Sequence, residues 1–88
     1  LDFIVLLKDG RIGLFDTTSG IFAKDKKEKA EGLTRYIVTE NKKDKNLFGG
    51  IVLKDKNSWR HNDSKKYSYD PNNLKDWKFL DLNWYGND

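Results

Sequence analysis

The stretch Leu1-Asp2-Phe3-Ile4-Val5-Leu6-Leu7-Lys8-Asp9-Gly10-Arg11-Ile12-Gly13-Leu14-Phe15-Asp16 decides the architecture. Two apolar runs, each with an aspartate at its outer end, flank Asp9-Gly10, a dipeptide suited to a tight hairpin turn. The pattern predicts a strand, a turn and a second, antiparallel strand. Loop length then decides where the aspartates point, because side chains alternate across a strand with period two. A two-residue loop at Asp9-Gly10 pairs Phe3 with Asp16 and Asp2 with Thr17, which puts Asp2 and Asp16 on opposite faces. A three-residue loop of Asp9, Gly10 and Arg11, closed by a bulge, pairs Ile4 with Asp16 instead. Asp2, Ile4 and Leu6 then share a face with Ile12, Leu14, Asp16 and Thr18, and the two aspartates become diagonal neighbours able to hold a divalent cation.

Outward from the hairpin, Ala30, Leu33 and Ile37 recur at helical spacing in a lysine- and glutamate-rich stretch, so residues 25–40 read as an amphipathic helix packed on the hairpin. Gly32 inside it costs roughly 1 kcal/mol relative to alanine, which suggests a close helix-to-sheet approach there. Residues 47–53 form an apolar, partly β-branched run broken by Gly49-Gly50. A strand reached through a crossover helix runs parallel to the strand before it. The first strand is apolar on both faces, as expected of a sheet buried on both sides. These signals define an α/β fold. Further on, residues 59–61 and 66–69 suggest a second hairpin around Asn62-Asp63-Ser64. Asp70-Pro71 suggests a helix start with Leu74 and Trp77 turned inward, and Phe79, Leu80, Leu82 and Trp84 suggest a covering extended segment.

At 88 residues the chain is sized for one small domain, burying ~60% of its unfolded surface. Because it opens on Leu1, we expect a piece of a larger protein, with a core at 1–54 and a C-terminal extension at 55–88. No apolar run approaches the roughly 20 residues that span a bilayer, so no membrane partner is expected. Cysteine is absent, which removes disulfides and cysteine–zinc sites and fits the cytoplasm. The net charge is +3, and the excess lies in residues 24–46, where eight basic side chains meet five acidic ones. Interspersed acids fit a solvated helix face, whereas the lysines themselves fit a DNA phosphate footprint. Gly10, Gly13 and Gly20 do not make a phosphate loop, since no Gly-Lys-Ser/Thr sequence leads into the helix.

An aspartate opening an apolar strand, a short hairpin, and a second aspartate in Phe15-Asp16-Thr17-Thr18-Ser19-Gly20 together resemble the PD-(D/E)xK nuclease core. The stretch is similar in particular to the nuclease-like part of type III restriction enzyme Res subunits and related restriction-type helicases. The resemblance spans roughly residues 1–54 and implies a partial restriction-endonuclease-like core, a DNA substrate and a helicase or ATPase motor elsewhere in the parent protein. It implies Mg²⁺ held by Asp2 and Asp16, with the Thr17 carbonyl as a backbone ligand, and hydrolysis of a phosphodiester. Thr18 stands where the family has its catalytic lysine. Loss of such an electrostatic group costs on the order of 10²-fold or more in rate. Lys24 or Lys26, at the start of the following helix, is the expected substitute. Leu1 stands where the family often has proline, and the helix and strand that precede the hairpin in that family have no counterpart here.

His61, the single histidine, lies in a polar stretch beside Arg60 and Asn62 and reads as an exposed side chain or a general base. Trp59, Tyr67, Tyr69, Trp77, Trp84 and Tyr85 read as core residues of a small domain or as base-stacking platforms.

Overall fold

The structure, a computed structural model, describes residues 1–80. Strands β1 (Phe3–Leu6) and β2 (Ile12–Thr18) form the expected hairpin. A 3-10 turn (Ala23–Lys26) leads into α1 (Lys27–Asn41), followed by β3 (Leu47–Asp55), β4 (Ser58–Asn62) and a short β5 (Lys78–Phe79). The strands lie in the order β1-β2-β3-β4-β5 in one mixed sheet. Among the described residues, β2 and β3 are the one parallel pair, joined by α1 as the sequence predicts. The fold is α/β.

The hairpin differs from both expected loops. Phe3 faces Phe15 and Ile4 faces Leu14, while the Leu7 amide donates to the Arg11 carbonyl at 2.9 Å and the Gly10 amide to the Leu7 carbonyl at 3.0 Å. The loop is thus Lys8-Asp9-Gly10, one residue earlier than expected, with Gly10 at φ 96°. Asp9 favours this placement because its carboxylate accepts from the Arg11 amide and from Arg11 Nε. A one-residue shift in the loop moves the register by two. The faces keep their composition, but Leu14 rather than Asp16 stands opposite Ile4.

Each sheet face carries an apolar cluster. On one face Ala30 of α1 packs with Ile51, Leu53, Tyr67 and Trp77, and Tyr69 and Leu74 lie against them. On the other, Val5, Phe15 and Val52 pack with Phe3, Leu7, Phe48 and Leu80. The tight β2–β3 approach needs Gly49, whose φ is 136° and whose Cβ would overlap the Leu14 carbonyl. Gly32, by contrast, marks no close approach. A Cβ there would meet only the Arg35 guanidinium at 3.7 Å, so the expected helix–sheet contact at Gly32 is absent. The helix end is tied to β3 by a reciprocal pair, Asn41 Nδ2 to the Leu47 carbonyl and the Leu47 amide to Asn41 Oδ1.

The extension departs most from expectation. Strand β4 pairs with β3 across the Lys56-Asn57 turn and with β5, and residues 66–69 form no strand. Tyr67 is instead committed to the helix: its amide donates to Glu31 Oε2 at 2.8 Å and its hydroxyl donates to the Ala23 carbonyl. Burial pushes that phenol up to about 12. The helix expected after Asp70 is replaced by turns. Asp70 Oδ1 accepts from the Asn72 amide and Asn73 Oδ1 from the Lys75 amide, the local bonds by which such side chains compete with helix. Leu74 and Trp77 do face inward, and Trp77 Nε1 donates to the Ser68 carbonyl at 3.1 Å. Arg60 Nη1 donates to the Trp77 carbonyl at 2.9 Å. Leu82, Trp84 and Tyr85 lie outside the described residues.

Candidate functional site

Asp16 lies on the sheet face covered by α1, in register with Ile51 of β3 and one alternation from Leu14 and Thr18. Only 4% of it is exposed, on a strand face that it shares with Leu14 and Thr18. The Leu1 amino nitrogen is 3.6 Å from Asp16 Oδ1. A carboxylate held this deep in a small core is costly unless it is partnered.

Asp2 sits one residue before the Phe3–Phe15 pair, and Asp16 one residue after it. The Asp2 amide donates to the Phe15 carbonyl at 3.0 Å. Its carboxylate is turned to Thr17, where Oδ2 accepts from both the amide and the hydroxyl at 2.8 Å each. The side chain thus stands in for the strand neighbour that β2 lacks past the start of β1. The Thr17 amide bond lowers the Asp2 carboxyl from its ordinary value, the Thr17 hydroxyl adds to this, and Lys29 and the Leu1 amino group contribute smaller electrostatic effects. Within a strand, the amide and carbonyl of one residue point to the same side. The Thr17 carbonyl therefore opens beside Asp2.

Thr18 shares the face of Asp16 as expected, and its hydroxyl donates to the Ser19 carbonyl at 3.1 Å. It brings no charge to the pair. Lys24 and Lys26 belong to the 3-10 turn, and among the described residues neither makes a side-chain hydrogen bond or an ion pair. Lys29, one of the eight basic side chains of residues 24–46, exerts a minor electrostatic effect on Asp2.

Asp2, Asp16 and the Thr17 carbonyl are hard oxygen donors, the kind that suits Mg²⁺ with several waters retained. Among the described residues no group of three or more acidic, histidine or cysteine side chains gathers around a common point.

His61 is buried rather than exposed. It lies on the opposite face from Asp16, in register with Val52 and edge-on to Phe15 at 6.5 Å. Burial lowers its pKa, Lys78 adds to the effect and Asp63 opposes it. The sheet separates it from the aspartates, so it cannot serve them as a general base. Tyr67 and Trp77 are core residues, whereas Trp59 is 41% exposed with Lys54 over its ring. A recess of 360 Å³ lined by Glu31, Thr34, Arg35, Val38, Thr39 and Lys65 lies on the flank of α1 away from Asp2 and Asp16. Among the described residues no helix is long and apolar enough to cross a membrane.

No protein-family model matches the chain, and neither curated proteins nor solved structures gave a significant match.

Proposed function

We propose that this chain is a nuclease-like domain of a DNA-processing protein, of the PD-(D/E)xK type, working beside a helicase or ATPase motor of the same protein. The observation that carries the reading is Asp16, a buried carboxylate on the sheet face of buried Leu14 and Ile51, next to the hairpin position that brings in Asp2. Asp2, Asp16 and the Thr17 carbonyl would hold Mg²⁺. When bound, that ion supplies polarisation of the phosphodiester and a lowered pKa for an adjacent water. The chain's own part is positional. Thr17 fixes one oxygen of Asp2 and keeps it ionised, leaving Oδ1 for a ligand. Leu14 and Ile51, both buried, give Asp16 an apolar floor that keeps bulk water away and strengthens its field.

Titration with Mg²⁺ or Mn²⁺, followed by backbone amide shifts, tests the site. Resonances of Asp2 and of Asp16 to Thr18 should move, and Asp16→Asn should abolish the response. Shifts confined to other acidic residues would remove the metal site and with it the nuclease reading.

A second reading, a DNA-binding or scaffolding module without catalysis, is favoured by Thr18 at the lysine position. An intact metal response together with DNA binding and no detectable cleavage would select it.

A further inference from the structure

Among the described residues β1 ends the sheet on one side. In its antiparallel ladder with β2, Phe3 and Val5 stand opposite Phe15 and Gly13, and the Leu7 amide donates to the Arg11 carbonyl. Residues alternate along such a ladder between hydrogen-bonded and outward-facing, so the backbone amides and carbonyls of Ile4 and Leu6 point away from β2. Natural sheets blunt an edge of this kind with charge, proline, a bulge or brevity. The opposite edge, β5, follows that rule, being two residues long and carrying Lys78. The β1 edge does not. Residues 3–7 are apolar in succession, without charge or proline, and Ile4 and Leu6 are 57% and 74% exposed on the sheet face of Leu14.

We propose that the β1 edge is a self-association surface, where a second copy of this chain adds its own β1 antiparallel across a twofold axis at Val5. The inference is independent of the nuclease-like reading. Outward-facing residues must stand opposite outward-facing residues, which leaves the axis at Ile4, Val5 or Leu6 for a strand this short. An axis at Val5 sets Ile4 against Leu6 of the partner subunit, and Asp2, held at the strand end by Thr17, level with Lys8 of the partner subunit. An axis at Ile4 would set Asp2 against Leu6 of the partner subunit, and one at Leu6 would set Lys8 against Ile4 of the partner subunit. Either places a charge against an aliphatic side chain, so charge complementarity selects Val5. In that register the free backbone groups of Ile4 and Leu6 are satisfied in both copies. The apolar cluster of Val5, Phe15 and Val52 also meets its own symmetry mate. The Asp2–Lys8 pairs lie at the rim, where they fix register more than they add affinity. Because the contact is isologous, assembly closes at the dimer.

Sedimentation equilibrium of the 88-residue chain over a roughly hundredfold range of concentration tests the association. The mass should rise from 10.3 kDa to twice that value and no further. Leu6→Lys puts like charges into the contact and should lose the dimer. Leu6→Pro should lose it too, since it removes an outward amide and leaves the β2 ladder intact; circular dichroism checks that both variants fold. The chain has no cysteine, so Val5→Cys reads the register directly. A non-hydrogen-bonded antiparallel pair brings its Cα atoms to about 4.5 Å, within disulfide range. Val5→Cys should therefore link into a covalent dimer on treatment with diamide, whereas Leu6→Cys, diagonal to its own symmetry mate, should not. If Leu6→Pro fails to fold, Leu6→Lys and the cysteine variants decide. A wild type that stays monomeric overturns the proposal and leaves the edge to a strand of a different chain. Growth beyond the dimer also overturns it, since β1 pairing with β5 of the next copy makes an open chain. So does a dimer that survives Leu6→Lys in folded protein, or one that links through Leu6→Cys and not through Val5→Cys.

Discussion

The Asp2 carboxylate and Thr17 are joined twice, through the Thr17 amide and through its hydroxyl, both to Asp2 Oδ2 at 2.8 Å. The contact closes the open end of the hairpin across fifteen residues of sequence. It gives Asp2 a structural task that exists with or without a bound cation.

Asp2 should accordingly support acid-sensitive stability. Its folded pKa is lowered, so its contribution is present above the unfolded value, ~3.9, and is lost as the pH falls through the folded value. Asp2→Ala should lower the urea midpoint at pH 7, and the difference from wild type should shrink towards pH 2. An unchanged midpoint at pH 7 would show that the Thr17 bonds contribute nothing to folding.

His61 predicts a second pH dependence in a different window. Burial lowers its folded pKa, so the unfolded chain binds the proton more readily. Stability should be complete above the unfolded value of ~6.5 and decline as the pH falls from there to the folded pKa. Thermal unfolding between pH 7.5 and 5 should show this slope, and His61→Gln should flatten it.

Two glycines should respond in opposite directions. Gly49→Ala forces a Cβ into the Leu14 carbonyl at a positive φ, at a cost on the order of 3 kcal/mol. Gly32→Ala meets no backbone and should stabilise by up to ~1 kcal/mol. Urea denaturation of the two variants measures both effects, and destabilisation by Gly32→Ala would mean the helix is closer to its surroundings than its neighbours indicate.

Phe15 has no exposed surface and stacks on Phe3 at 5.1 Å and edge-on to Phe48 at 5.8 Å. Phe15→Ala should cost ~3–5 kcal/mol. Leu6, on the outermost strand and 74% exposed, should tolerate alanine within ~0.5 kcal/mol. Chemical denaturation of both variants makes the comparison.

Thr18→Lys tests whether the site is an eroded nuclease. Thr18 shares the Asp16 face, and its hydroxyl donates to the neighbouring Ser19 carbonyl, so the substitution costs a local hydrogen bond and places the new ammonium on that face. On the nuclease-like reading, Mg²⁺-dependent cleavage of plasmid or oligonucleotide DNA should rise on the order of 10²-fold. No gain, with metal binding intact, would favour the non-catalytic module.

The hairpin, the crossover helix and the parallel third strand were legible from residue pattern alone, because apolar periodicity and the Asp9-Gly10 turn are local signals. Parity made even a misplaced loop informative: shifting the loop by one residue moved the register by two, so Asp16 and Thr18 kept the expected face while the partner of Ile4 changed from Asp16 to Leu14. What the local pattern could not carry was anything decided by contacts distant in sequence. His61 looked exposed beside Arg60 and Asn62, yet β3 and Phe15 enclose it. Residues 66–77 resembled a strand and a helix, yet their polar groups serve Glu31, Ala23 and Arg60 and keep the chain irregular. The flank of α1 that meets residues 64–67 is likewise marked by the Glu31–Tyr67 bond, which spans thirty-six residues. Local composition determined which elements form; the packing of the 64–77 segment on the helix decided which charges meet, since helix rotation depends on partners that sequence neighbours do not specify.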